Sequence, residues 1–156
     1  IYEQDDPERF CTVVNLVLRP SDGAGAAGGF DVELSCAGHP LPLLLTGSGD
    51  VRSVGRPGMV VGLFEDPDLH DVQEHLAPGD VLVLYTDGLL EARSPDGRFD
   101  PGLIEKAMRT AVGQTADEVA TAIERAVLRF EGGQPRDDMA LVVLRVPGLG
   151  EPGEPS

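Results

Sequence analysis

Residues 81–85, Val-Leu-Val-Leu-Tyr, run apolar without a break between Asp80 and the Thr86-Asp87-Gly88 that follows. A strand written this way has no polar side to turn toward water, because successive side chains point to opposite faces. It therefore belongs in the middle of a sheet that is covered on both faces. It also ends on a carboxylate. Asp-Gly is a common turn pair, so the question is whether other carboxylates lie near it in space.

The rest of the chain supplies partners for that strand. Residues 12–18 carry apolar side chains on both alternating faces, and residues 30–36 place Phe30, Val32, Leu34 and Cys36 on one side. Both read as strands, joined by a Gly/Ala-rich hairpin connection that opens at Pro20-Ser21-Asp22-Gly23 and runs to Gly29. Pro40 and Pro42 turn the chain into a short strand at Leu43-Leu44-Leu45. Gly47, Gly49 and Asp50 turn it again before residues 51–54. Residues 56–71 are a loop broken by Pro57, Gly58, Gly62 and Pro67, and residues 72–76 alternate as a strand before the Pro78-Gly79 turn.

Two helices follow. Asp100 and Pro101 predict an N-cap and first helical position, ahead of Leu103, Ile104, Ala107, Met108 and Ala111 at helical spacing. Thr115-Ala116-Asp117-Glu118 has the form of a capping box. Val119, Ala122, Ile123, Ala126, Val127 and Phe130 then make one apolar stripe that Gly132-Gly133 stops. Residues 139–146 are a last apolar strand, and residues 148–156 predict a disordered tail. Strands first and helices late give an α+β pattern, with helices covering the faces of antiparallel sheets.

At 156 residues, 41% of them hydrophobic, the chain can build one domain with its own core. Its formal charge of −15 argues against nucleic-acid and anionic-membrane binding, which need a basic face. The acidity itself reads as a solvated surface and names no partner. Cys11 and Cys36 lie in apolar runs without metal-ligand spacing, which predicts buried free thiols in a reducing compartment. No apolar run reaches the roughly 20 residues a membrane span needs, and no charged leader precedes one. The expected location is the cytoplasm. Ile1 in place of Met predicts a chain excised from a longer one.

Gln134-Pro135-Arg136-Asp137-Asp138 immediately precedes the last strand, as Asp87 follows the central one. If the two strands are antiparallel neighbours, Asp87, Asp137 and Asp138 meet at one sheet end. Clustered like charges repel unless a cation sits among them, and all-oxygen donors suit magnesium or manganese. Spacing alone leaves this reading level with plain soluble punctuation at strand ends.

Ala37-Gly38-His39-Pro40, then Ala77-Pro78-Gly79-Asp80 leading to Tyr85-Thr86-Asp87-Gly88, Glu91-Ala92, Gly132-Gly133 and Asp137-Asp138-Met139 resemble, in order and spacing, the SpoIIE-like phosphatases. These are bacterial members of the metal-dependent PPM (type 2C) serine/threonine phosphatases. The resemblance covers nearly all of residues 8–146. It implies a sandwich of two antiparallel sheets flanked by helices, with a two-metal Mn2+ or Mg2+ site that activates water for direct attack on phosphoserine or phosphothreonine. By motif, Asp87 and Asp137 are implied metal ligands, and Asp138 stands where relatives carry Asn or Asp. Gly88, His39 and Glu91 are supporting positions. For His39 a general-acid role and a plain turn role both remain open. The usual target in this family is a phosphorylated anti-anti-sigma factor of the STAS type.

One family motif has no counterpart. The early Asp-Gly that bridges the metals is missing, as if about 80 to 90 residues of an ordinary domain preceded this chain. Residues 1–147 are thus expected to be the C-terminal part of a phosphatase domain, with sheet edges open to homodimer formation. The rival reading is a non-catalytic or truncated regulatory or dimerisation module. A phosphohydrolase acting on small molecules is a third.

Overall fold

The computed structural model describes residues 10–21, 28–94, 97–98, 100–131 and 138–148. Most of the Gly/Ala-rich connection, Asp96, Gly132-Gly133, Asp137 and all but the first residue of the expected tail lie outside them.

Strands β1 (Val13–Pro20), β2 (Phe30–Ala37) and β5 (Asp71–Leu76) form one antiparallel sheet in the order β1-β2-β5. Strands β3 (Leu43–Leu45), β4 (Val51–Ser53), β6 (Val81–Tyr85) and β9 (Leu141–Arg145) form a second, also antiparallel, in the order β4-β3-β6-β9. Helices α1 (Gly102–Thr110) and α2 (Ala116–Glu131) cover the outer face of the second sheet. A two-residue ladder, β7 (Arg93–Ser94) with β8 (Gly97–Arg98), completes the elements.

The side-chain alternation explains the layering. Val32, Leu34 and Cys36 of β2 face the second sheet and meet Leu44 of β3 and Leu82 of β6. On the other face of the second sheet, Leu43, Leu45, Val81, Val83 and Tyr85 meet Ile104 and Met108 of α1 and Val119, Ile123 and Val127 of α2. β6 is central, paired with β3 and β9, and both its faces are buried as its unbroken apolar run requires. Each such large aliphatic side chain contributes about 1.5–3 kcal/mol on burial. At the sheets' shared rim, Arg52 of β4 donates to both carboxylate oxygens of Glu74 of β5, at 3.0 and 2.7 Å.

Boundaries moved by a residue or two, as terminal turns do. The first strand runs 13–20 rather than 12–18, and the last is shorter than 139–146. Helix α1 begins at Gly102 with Pro101 in the cap position. Asp100 still caps it, accepting the Gly102 N–H at 2.9 Å. Cys36 is fully buried, and that burial pushes its thiol above the usual range. Cys11, expected to be buried, is only partly so: it lies before β1 and meets Val61 through an isolated bridge. No described helix is long and apolar enough to cross a membrane.

The capping box of α2 forms as the sequence predicts. The Thr115 N–H donates to Glu118 Oε2 at 2.8 Å and the Glu118 N–H to Thr115 Oγ1 at 3.3 Å. Thr115→Ala should cost about 1 kcal/mol in urea unfolding. The bonds from the Thr115 backbone, and then its hydroxyl, hold the Glu118 carboxyl below its ordinary value. A lowered folded value means that the cap's contribution is present above the unfolded glutamate value and is lost as pH falls through the folded one. The wild-type advantage over Thr115→Ala should therefore shrink in acid.

Candidate metal centre at one end of the sandwich

The strand connections gather the motif residues at one end. A short turn, Gly38 to Pro42, joins β2 to β3, so β3 starts where β2 finishes. Leu43 of β3 pairs with Val83, two residues before the end of β6, and Tyr85 at that end pairs with Leu141 at the start of β9. The His39 turn, the Thr86-Asp87-Gly88 segment and the approach to β9 through Asp138 thus share one end of the second sheet.

Specific contacts fasten two of these segments together. The Thr86 N–H donates to the Ala140 carbonyl at 3.1 Å, and the Ala140 N–H donates back to Thr86 Oγ1 at 3.0 Å. Immediately after Thr86, residues 87–89 wind into one turn of 3-10 helix. The Asp87 carbonyl accepts the N–H groups of Leu90 and Glu91 at 2.7 and 2.8 Å, and Leu89 is buried beneath the turn. Gly88 lies so close to the Asp138 backbone that any Cβ there would overlap the Asp138 carbonyl oxygen. The close approach requires glycine for space alone, since the Gly88 φ is not positive.

Gly88→Ala should therefore push the two aspartate segments apart. The expected loss is about 1–3 kcal/mol, the ordinary cost of overpacking a tight site. Thermal unfolding checks it, and a variant as stable as the wild type contradicts the contact.

Asp87 and Asp138 are both exposed at this end, and Asp137 lies outside the described residues. Glu91 is exposed too, and its bond to Asp87 runs through the backbone. His39 Nδ1 lies 3.3 Å from Thr12 Oγ1, which ties the Ala37-Gly38-His39-Pro40 turn to the start of β1. Among the described residues no group of three His, Cys, Asp or Glu stands ready to hold a metal ion. Two aspartates carried on adjoining strand ends fit a hard cation by donor type, and they leave further donors to be found. The role of Thr86 is not visible in its motif, because its partner Ala140 lies across the sheet. Its signal was a hydroxyl at the exit of a buried strand, where a backbone donor on the neighbour needs an acceptor.

Two facing antiparallel sheets with helices packed on an outer face are the fold of PP2C phosphatase domains. The PP2C phosphatase domain, with a fragment of the regulatory domain, of the cell fate determinant SpoIIE from Bacillus subtilis matches with a TM-score of 0.63 and 25% identity, over 75% of this chain and 34% of that one. The RsbU and RsbW domains of a Mycobacterium tuberculosis protein match with a TM-score of 0.57 and 26% identity, over 75% of this chain and 33% of that one. The chain belongs to the SpoIIE family, described as Stage II sporulation protein E, whose family model matches residues 1–147. It is also similar to phosphoserine phosphatase RsbU of Bacillus subtilis (strain 168), 32% identical over 88 residues, which are 56% of this chain and 26% of that protein. The chain spans well under two thirds of the length of each of these relatives.

Proposed function

We propose that this chain is the carboxylate-bearing part of a metal-dependent protein serine/threonine phosphatase, and that its substrate is a phosphorylated anti-anti-sigma regulator of the STAS type. The observation that carries the proposal is the fastening of the Thr86-Asp87-Gly88 turn to the Asp138–Ala140 segment, by reciprocal Thr86–Ala140 bonds and by the Gly88 contact. Nothing about solubility requires two aspartate segments to be tied together. Membership of the SpoIIE family and the likeness to a phosphoserine phosphatase support the reaction type.

In this reading Asp87 and Asp137 are ligands of Mn2+ or Mg2+, and Asp138 is an adjoining donor. When bound, such a cation supplies charge that acidifies water and offsets the phosphoryl group. The chain's own residues set the geometry: Thr86 and Gly88 hold the two segments in contact, and the Leu90 and Glu91 amides fix the turn that carries Asp87. His39 shapes the adjoining turn through Thr12. Asp87 and Asp138 leave coordination positions for further oxygen donors.

A second reading is a non-catalytic regulatory module with the same fold. The natural full-length protein separates the two. Incubated with Mn2+ and a phosphorylated STAS-type domain, it should remove the phosphate, as followed by mass, and chelation should stop it. A phosphate retained with and without the cation supports the regulatory module.

A further inference from the structure

The connection between β4 and β5 crosses the end of the sandwich where Asp87 and Asp138 lie. It leaves the second sheet after Ser53, which pairs with Leu43, and enters the first at Asp71, which pairs with Ser35. Backbone bonds pin it from several sides. The Gly38 N–H donates to Gly58 at 2.9 Å, the Met59 N–H to Asp68 at 3.0 Å, and Cys11 and Val61 exchange bonds of 2.9 and 3.1 Å. Gly58 sits so close to the Cys36 carbonyl that no Cβ fits between them.

A loop so firmly held still turns its large side chains outward. Met59, Leu63, Phe64 and Leu69 are 37–47% exposed, and Phe10, joined to the loop through the Cys11–Val61 pair, is 56% exposed. Five of the nine large exposed hydrophobics among the described residues therefore lie on this one connection and its strap. Exposed apolar side chains gathered on one connection are what an interaction surface offers a partner. Exposed Glu65, Asp66 and Asp68 are set among them.

We propose that this loop is the docking surface for the phosphoprotein substrate, a folded protein that presents an apolar face fringed with lysine or arginine. The partner's identity rests on the phosphatase reading above. Three observations choose this occupant. The loop spans the same end as the candidate metal centre, so a protein seated on it brings its phosphorylated side chain to the aspartates. Exposed Glu65, Asp66 and Asp68 outnumber the one exposed cation on the connection, Arg56, and that net negative fringe favours a basic partner face over a second copy of the same face. The pinned backbone leaves little conformational freedom to lose on binding.

The test uses the natural full-length protein and its Leu63→Asp/Phe64→Asp variant, with Phe64→Ser as a milder second change. Both residues are exposed, so the fold should survive. Calorimetric titration measures the affinity for a phosphorylated STAS-type domain, and hydrolysis of p-nitrophenyl phosphate with Mn2+ measures the centre alone. We expect the affinity to fall about tenfold or more, with hydrolysis of the aryl phosphate unchanged. Unchanged affinity overturns the proposal, as does a wild type that does not bind the domain. Loss of both readouts with a lower melting temperature shows the patch covered by the protein's own chain, and a change of oligomeric state shows it covered by a second copy; either overturns it. If the wild type binds through the loop yet hydrolyses neither substrate, docking stands and the phosphatase reading fails.

Discussion

Asp87→Asn should reduce manganese-dependent release of phosphate from a phosphoserine peptide by about 100-fold or more, with little change in stability. The size follows from the several kcal/mol that cation assistance contributes, each 1.4 kcal/mol being about tenfold in rate. The small stability effect follows from structure. Asp87 is exposed, and the turn that carries it is held by its backbone carbonyl, by Leu89 beneath and by Thr86 before it, none of which the substitution touches. The natural full-length protein is the sample, and its melting temperature is read beside its activity. A variant that keeps its activity would remove Asp87 from the site. A variant that loses both would make Asp87 a structural residue.

Asp80→Ala should be strongly destabilising, at the opposite end of β6. Asp80 is the one buried polar or charged side chain among the described residues. Its Oδ1 accepts the Gly47 N–H from the β3–β4 turn and its Oδ2 accepts the Ala77 N–H, both at 2.9 Å. Its backbone carbonyl takes the Val146 N–H just after β9, at 2.9 Å. One residue thus ties together the start of β6, the turn of a neighbouring hairpin and the exit of the last strand. Alanine leaves two amide donors without their charged acceptor, at about 1.5–3 kcal/mol each. A total near 3 kcal/mol, allowing for water that reaches the turn, lowers the melting temperature by roughly 6–12 °C. Asp80→Asn keeps one acceptor oxygen and should fall between. A loss under about 1 kcal/mol for Asp80→Ala would show that the turn relaxes freely.

Much of this was legible in the order of the residues, for physical reasons that are easy to name. The apolar run at residues 81–85 has no polar face, so its central place in a covered sheet follows, and the antiparallel pairing of β6 with β9 then brings Asp87 to the Asp138 segment. The Thr115–Glu118 cap was legible because both partners are local. What the sequence did not show depends on distant partners. Thr86 bonds to Ala140 and Gly88 rests on Asp138 across the sheet, and nothing beside either residue announces it. The 56–71 segment reads as a loop and is one as far as residue 70, Asp71 opening β5. Its pinning to Gly38 and Cys11, and hence the fixed patch it displays, depends on backbone bonds to residues far away in the chain. Asp137 enters the metal centre through motif resemblance.

The measurement closest to the central claim is a calorimetric titration of Mn2+ into the natural full-length protein and into its Asp87→Asn and Asp138→Asn variants. A site shared by the two fastened segments predicts saturable binding in the wild type, and weaker binding, by roughly tenfold or more, in each variant. Equal binding by all three proteins would contradict it, and would leave the aspartates as punctuation at the ends of two strands.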